Sequence, residues 1–255
     1  MKFDDLDKKM RVYETTHDHM VMPEMYMVAR IDGRSFTRLT KVKHPFKTPF
    51  DEKMRRMMSQ TVEHLMNCGF KVLYGYTQSD EISLLFSFKE NVFHRKERKY
   101  NSVLAGEASA KFSLLLGDIG AFDCRIVQLP NIDLVENYFR WRQEDAKRNA
   151  LNGHCYWSLR DEGLSGKEAS AILDKLSVSE KNELLFSKGT NFNDVPSWQK
   201  RGTGLYWESY EKEALNPKTN EKVVAVRNRL KEDVELPYGD AYGLFIRGFL
   251  ERDRV

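Results

Sequence analysis

The run Met25-Tyr-Met-Val-Ala-Arg-Ile31 is almost unbroken in apolar character and predicts a buried strand. From Asp51 to Asn67, positions Met54, Met58, Thr61 and Leu65 recur at spacings of three and four, the pattern of an amphipathic helix, with Gly69 closing it. Two short strands follow, Lys71–Tyr76 and Ile82–Phe88, joined by a tight Gln78-Ser79-Asp80-Glu81 connection. Helical spacing returns over Lys96–Leu116 through Leu104, Ala108, Phe112 and Leu115. One more strand, Phe122–Leu129, stops at Pro130. The order strand, helix, strand, strand, helix, strand is the split βαβ, ferredoxin-like arrangement: an α+β fold with an antiparallel sheet and both helices on one face.

The flanks read differently. Residues 3–20 pattern as a polar, outlying helix. Beyond Asn131 come a long helix at Leu134–Leu159, rich in aromatics and Arg, and helices at Gly166–Leu176 and Ser179–Phe186. A hairpin of Gly202–Glu208 with Lys222–Arg229 turns near Asn216-Pro217. The expected organisation is a catalytic domain over residues 1–130 and a helical and hairpin extension over 131–255 packed against it. There is no internal repeat and no low-complexity linker.

Composition narrows the class. Forty-one Lys and Arg against 38 Asp and Glu leave a net charge of +3 over 255 residues. That excludes a histone-like protein but allows a nucleic-acid binder with clustered positive charge. No stretch approaches the roughly 18 apolar residues of a membrane span. The N-terminal MKFDDLDKKM alternates charge where a secretory signal carries an apolar core. Three cysteines without C-x-x-C spacing point away from disulfide or zinc frameworks and toward a reducing cytoplasm.

The candidate chemistry sits at strand ends. In a split βαβ sheet the first and third strands are neighbours, so Asp32 and the pair Asp80-Glu81 meet at one rim. Clustered carboxylates repel unless a cation neutralises them. Oxygen-only ligands suit a hard divalent ion, most plausibly Mg²⁺, and two such ions align an attacking oxygen with a leaving phosphate. Asp32-Gly33 reads equally as a turn and Asp80-Glu81 as a solvated hairpin tip. Arg95, Lys96, Arg98 and Lys99 gather at the start of the second helix, where cations are unfavourable unless an anion such as a triphosphate sits there. The alternative is a solvated charged face partnered by Glu90 and Glu97.

Five blocks in order resemble the tRNA(His) guanylyltransferase family: Arg30-Ile-Asp-Gly-Arg-Ser-Phe36, Tyr76-Thr-Gln-Ser-Asp-Glu81, Trp141-Arg-Gln-Glu-Asp145, Lys181-Asn-Glu-Leu-Leu-Phe-Ser187 and Arg201-Gly-Thr203. The resemblance implies a polymerase-palm catalytic domain that adds nucleotides to the 5′ end of tRNA, growing the chain 3′ to 5′. ATP or GTP activates the 5′-phosphate, and the 3′-hydroxyl of an incoming nucleoside triphosphate attacks it. Carried over by position, the resemblance implies Asp32 and Asp80 as catalytic holders of two Mg²⁺ ions, with Glu81 and the Gly33 carbonyl assisting. It implies Arg30, Gly33, Arg34, Ser35, Phe36, Ser79, Asp80, Arg95, Lys96 and Lys99 as nucleotide-binding. Arg142, Asn149, Lys181, Asn191 and Asn193 would lie near the tRNA 5′ end or the activating nucleotide. A homotetramer is implied as well.

The chain also departs from the family pattern. The His-Ile-Asn-Asn-Leu-Tyr-Asn block of eukaryotic members reads Lys147-Arg-Asn-Ala-Leu-Asn-Gly153 here. A His after the Asp-Gly-Arg-x-Phe stretch is Thr37, and Lys-Pro-Asn-Asp is Thr48-Pro-Phe-Asp51. These changes favour the guanylyltransferase-like relatives of bacteria, archaea and phages. The expected reaction is therefore template-dependent repair of 5′-truncated tRNA, with addition of a single G to tRNA(His) as the alternative. Another palm-domain nucleotidyltransferase or cyclase is a weaker alternative. Trp141, Tyr156 and Trp157, interleaved with Arg140, Arg142 and Arg148, read as core more readily than as base-stacking groups. His44 among Lys41, Lys43 and Lys47 marks a loop that either touches RNA or stays free.

Overall fold

The computed structural model describes residues 2–215 and 222–254. The Asn216-Pro217 turn expected above lies outside the described residues. Among the described residues, no helix is long and apolar enough to cross a membrane.

The expected elements form close to their predicted bounds. A polar helix α1 (Phe3–Thr15) precedes β1 (Tyr26–Gly33). The turn α2 (Phe36–Arg38) runs into a five-residue π-helix, Leu39–Lys43, and then a Lys-bearing loop. Helix α3 (Glu52–Asn67) starts at Asp51, whose carboxylate accepts from the Lys53 and Met54 amides, and ends before Gly69 at φ +103°. Next come β2 (Val72–Gln78), β3 (Glu81–Phe86), α4 (Glu97–Leu116) and β4 (Phe122–Leu129). The second half holds α5 (Ile132–Asp161), α6 (Gly166–Leu173), α7 (Val178–Ser187) and the short α8 (Ser197–Arg201). It closes with β5 (Thr203–Leu215), β6 (Lys222–Asp233) and α9 (Asp240–Arg254).

All strands join one antiparallel sheet in the order β4-β1-β3-β2-β5-β6. The first four are the split βαβ sheet. The hairpin is not a separate layer: β5 pairs with β2 over Tyr74↔Tyr206 to Thr77↔Thr203 and extends the same sheet. Beyond Tyr206 it pairs with β6 alone.

Alternation along β1 explains why nearly every position there is buried. Met27, Ala29 and Ile31 face α3 and α4, in a core that includes the Phe36–Phe112–Phe122 triad with centroids 4.9–5.5 Å apart. Tyr26 and Val28 face α5 and α9, where Tyr74 stacks on Phe249 and its hydroxyl meets that of Tyr242 at 3.0 Å. Both faces of the sheet are covered, so a chain read as helices on one side carries a second helical layer on the other. A third cluster joins the far half of α5, through Ala150, Leu151, Cys155 and Leu159, to α6, α7 and the Phe192 turn.

Candidate active site

Register builds the site. Asp32 on β1 lies opposite Glu81 on β3 and opposite Asp123 on β4, which puts three carboxylates in a row on one face of the sheet. The next row on that face holds Arg30, opposite Ser83 and Arg125. The turn from β2 to β3 carries Ser79 at φ +55° and Asp80, whose Oδ1 accepts from the Ser79 hydroxyl at 3.0 Å. A non-glycine residue at such φ carries strain of order 1–3 kcal/mol, the kind found at functional turns. The Gly33 amide donates to the Asp80 carbonyl at 3.1 Å and ties the two strand ends together. A Cβ at Gly33 would lie 2.5 Å from the Phe36 ring, so only glycine lets that ring pack beneath the carboxylates.

The acids have different fates. The Asp80 carboxyl is raised to about 6, chiefly by burial and with a smaller push from the Asp32 and Glu81 charges, against the lowering hydrogen bond from Ser79. Asp32 is raised by burial and then by Glu81. Glu81 instead accepts from Arg30 Nη2 at 2.5 Å and from Arg142 Nη2. Arg142 also donates to Asp145 at 3.0 Å. Among the described residues no three His, Cys, Asp or Glu side chains are arranged to hold a metal ion by themselves, and Glu81 is directed at arginines. Asp32 and Asp80 are the under-compensated pair, and an oxygen-only pair of that kind suits a hard divalent cation.

Asp80 and Glu81 edge a cleft of about 600 Å³, with Asp32 opposite Glu81 just outside its lining. Ser79, Asp80, Glu81, Arg142 and Asn149 line one side. Lys41, Lys47, Phe50 and Asp51 line the other, with Trp157 and Trp198 completing the wall. The 39–49 segment is not a free loop: His44 Nε2 lies 2.8 Å from the Asp118 carboxylate, and Lys43 donates to it at 3.1 Å. Trp141 is 54% exposed and Trp157 half-buried on the cleft wall, against the core expectation, while Tyr156 packs against the third cluster.

The structure gathers Arg30, Asp32, Gly33, Ser35, Phe36, Ser79, Asp80, Glu81, Arg142 and Asn149 at this end of the sheet. Arg34 is exposed beside them, its amide bonded to Ala121. It does not bring Arg95, Lys96 and Lys99 there. Arg95 is 9% exposed and donates to the Met25 carbonyl, at the far end of β1. Seven residues of strand, about 23 Å, separate Met25 from Asp32. Lys96 and Arg98 are paired with Asp18, and Lys99 lies over the Phe93 ring at 5.7 Å. Within one chain the basic cluster is occupied by its own structure. Lys181, Asn191 and Asn193 sit beside the far half of α5: the Lys181 carbonyl accepts from Cys155 Sγ at 3.3 Å, and the Asn193 carbonyl accepts from Lys200 at 2.6 Å. Asp145 and Trp198 escaped the sequence reading. The signal for Asp145 was its i, i+3 spacing from Arg142; Trp198 had none.

Comparison with known proteins accounts for the arrangement. Residues 7–130 match the model of the family described as tRNAHis guanylyltransferase, and residues 133–237 match the model described as Thg1 C terminal domain. The tRNA(His) guanylyltransferase of Schizosaccharomyces pombe is 32% identical over 193 residues, covering 72% of this chain and 74% of that protein. The chain belongs to the tRNA(His) guanylyltransferase family. It is therefore a nucleotidyltransferase with a palm-like fold. Two solved structures of bacterial tRNA(His) guanylyltransferase-like proteins are similar throughout. The one in complex with GTP is 30% identical with a TM-score of 0.71, covering 98% of this chain and 99% of that one. The one in complex with ATP is 27% identical with a TM-score of 0.77, covering 96% and 98%. The split between the two family models, near residue 130, falls between β4 and α5.

Proposed function

We propose that this chain adds a guanosine nucleotide to the 5′ end of tRNA(His). The observation that carries the reading is the pair Asp32 and Asp80, under-compensated within the protein, with Asp80 lining a cleft large enough for a nucleotide and Asp32 on the strand beside it. GTP and ATP in the similar bacterial structures support nucleoside triphosphates as substrates here. In the first step a 5′-phosphate oxygen of the RNA bonds to the α-phosphorus of ATP or GTP, and pyrophosphate leaves. In the second the 3′-hydroxyl of GTP bonds to the activated 5′-phosphorus, the nucleoside monophosphate leaves, and the hydroxyl proton goes to solvent.

The residues divide this work. Asp32, Asp80 and the Gly33 carbonyl would hold Mg²⁺, which when bound offsets phosphate charge and activates the attacking oxygen. Lys41 and Lys47 bring positive charge to the cleft wall opposite Asp80. Trp157 and Trp198 line the wall with Lys41 over the first ring and Arg55 over the second, a cation–aromatic surface suited to a nucleotide. Ser79 holds the Asp80 carboxylate, and Gly33 keeps the two acids on one rim.

A second reading, templated extension of 5′-truncated tRNA, is favoured by the Lys147–Gly153 departure, since Asn149 and Gly153 line the cleft itself. The relatives named tRNA(His) guanylyltransferases put single-G addition first. Labelled full-length tRNA(His) with GTP, and labelled tRNA lacking its first nucleotide with all four triphosphates, separate the two. Addition of one G to the full-length RNA, absent with Asp80→Ala, is the expected result. Extension of the truncated RNA alone would establish the second reading, and no addition to either would overturn both.

A further inference from the structure

Five side chains form one continuous hydrogen-bonded run from the sheet to the cleft. Arg30 Nη2 donates to Glu81 Oε1, Arg142 Nη2 to Glu81 Oε2 and to Asp145 Oδ2, and Asn149 Nδ2 to the same Asp145 oxygen at 3.3 Å. Charges alternate along it until it ends in an amide. Arg142 is its centre. Its side chain is 6% exposed, and the guanidinium carbon lies 4.6 Å from the Trp141 ring centroid, so the group is held on its face and along its edge. Its Nη2 is shared between two carboxylates while the side chain forms part of the cleft wall, so its placement is set from within the chain.

Its partners are placed where small movements matter. Glu81 sits directly opposite Asp32 and follows Asp80 in the chain. Asp145 fixes Asn149, which faces the cleft. The β2–β3 turn that carries Ser79 and Asp80 is otherwise tied to β1 by the Gly33 amide and to the second half by Gln78, whose side chain donates to the Gln199 carbonyl at 2.8 Å. Arg142 is the charged joint between α5 and the carboxylate row.

We propose that Arg142 is a positioning residue for nucleotidyl transfer: through Glu81 it fixes Asp80 relative to Asp32, and through Asp145 it aims Asn149 into the cleft. The inference rests on the function proposed above. It assigns Glu81 the role of an anchor for Arg142, and it removes Arg142 from the RNA-contacting set that the family resemblance implied. A residue acting this way lowers the rate of the chemical step and leaves RNA affinity alone. A phosphate contact does the reverse, weakening RNA binding and flattening its salt dependence.

The test compares the full chain with Arg142→Gln, Arg142→Lys, Glu81→Gln and the Arg142→Gln/Glu81→Gln double variant. It reads kcat, KM for the triphosphate, tRNA Kd across salt, and melting temperature. Each of Arg142→Gln and Glu81→Gln should lower kcat by about 100-fold, the scale of a misplaced reacting group. The tRNA Kd and its salt slope should stay within about twofold. The double variant should be no slower than the worse single one within about threefold, because the pair acts as a unit. Arg142→Lys should recover part of the rate. A tenfold rise in tRNA Kd with kcat intact, or losses that multiply in the double variant, would overturn the proposal. Should Arg142→Gln fail to fold, Glu81→Gln and Arg142→Lys carry the same kcat-against-Kd split. An inactive wild type would sink the proposed function instead. In that case the melting temperatures still judge the joint, since shifts that simply add would show the two residues to be uncoupled.

Discussion

The two ends of β1 make opposite use of charge. At the Asp32 end, acids are brought together, and among the described residues Asp32 and Asp80 make no ion pair, so the fold holds them against their own repulsion and desolvation. At the Met25 end the cations have partners within the chain: Arg95 donates to the Met25 carbonyl, although its Nε is buried without a partner, and Lys96 and Arg98 pair with Asp18, whose carboxyl the two cations pull down to about 2. In sequence the basic cluster looked as chemically suggestive as the acids. In the fold Lys96 and Arg98 are paired while the two acids are not, and an unpaired set is what has affinity left for a substrate or an ion.

The sharpest way to break this comparison is to remove an unsatisfied charge. Asp32→Asn or Asp80→Asn should lower nucleotide addition by at least about 10³-fold with the fold retained; a variant within tenfold of wild type would mean that the pair does not hold the catalytic ion. Acid should do the same reversibly. With the metal-free Asp80 carboxyl at about 6, protons compete with the cation below that point, so at limiting Mg²⁺ addition should fall with acid and be restored by more Mg²⁺. A rate flat from pH 7 to 5 would count against Asp80.

Stability should move the other way in metal-free buffer. A carboxyl whose folded pKa lies above its unfolded one binds more protons when folded, so its contribution to stability is lost as pH rises from about 4 through about 6. Asp80→Asn should therefore melt higher than wild type at pH 8, by about 2–4 °C for each kcal/mol regained. A lower melting point would show the charge to be structural.

At the other end the effects should be smaller and purely structural. Arg95→Met leaves the Met25 carbonyl without its donor and should cost about 1–3 kcal/mol of stability, with KM for the triphosphate unchanged. A tenfold rise in that KM would return the cluster to nucleotide binding. Lys96→Ala, which leaves Arg98 on Asp18, should leave the melting temperature nearly unchanged.

The split βαβ order was legible because each of its elements carries its own pattern. Phe122–Leu129 was read to the residue, since Phe122 opens the strand and Pro130 ends it. Helix α9 was missed although Tyr242, Ile246, Phe249 and Leu250 keep helical spacing, because Gly243 and Gly248 argue against a helix locally. Gly243 packs closely on α5, where a Cβ would lie 3.3 Å from the Arg140 side chain. The outer half of β5 was missed because Glu208–Glu213 alternates without a core to mark one face. At the site, Asp32 meeting Glu81 follows from topology alone. That Arg95 faces away does not, because Phe93, His94 and Arg95 all adopt positive φ and turn the chain in a way no propensity signals.

The placement of β5 has a consequence for how the chain is made. Strands β1 to β4 leave the ribosome together, but the outer edge of β2 has no partner until residues 203–206 arrive. The apolar face bearing Tyr26, Val28 and Tyr74 also waits for α9. At about 5–20 residues per second, the edge stays open for several seconds of synthesis. In that interval the nascent chain presents a strand edge beside an aromatic surface, so chaperone occupancy should peak after β4 emerges and fall once the hairpin has been translated.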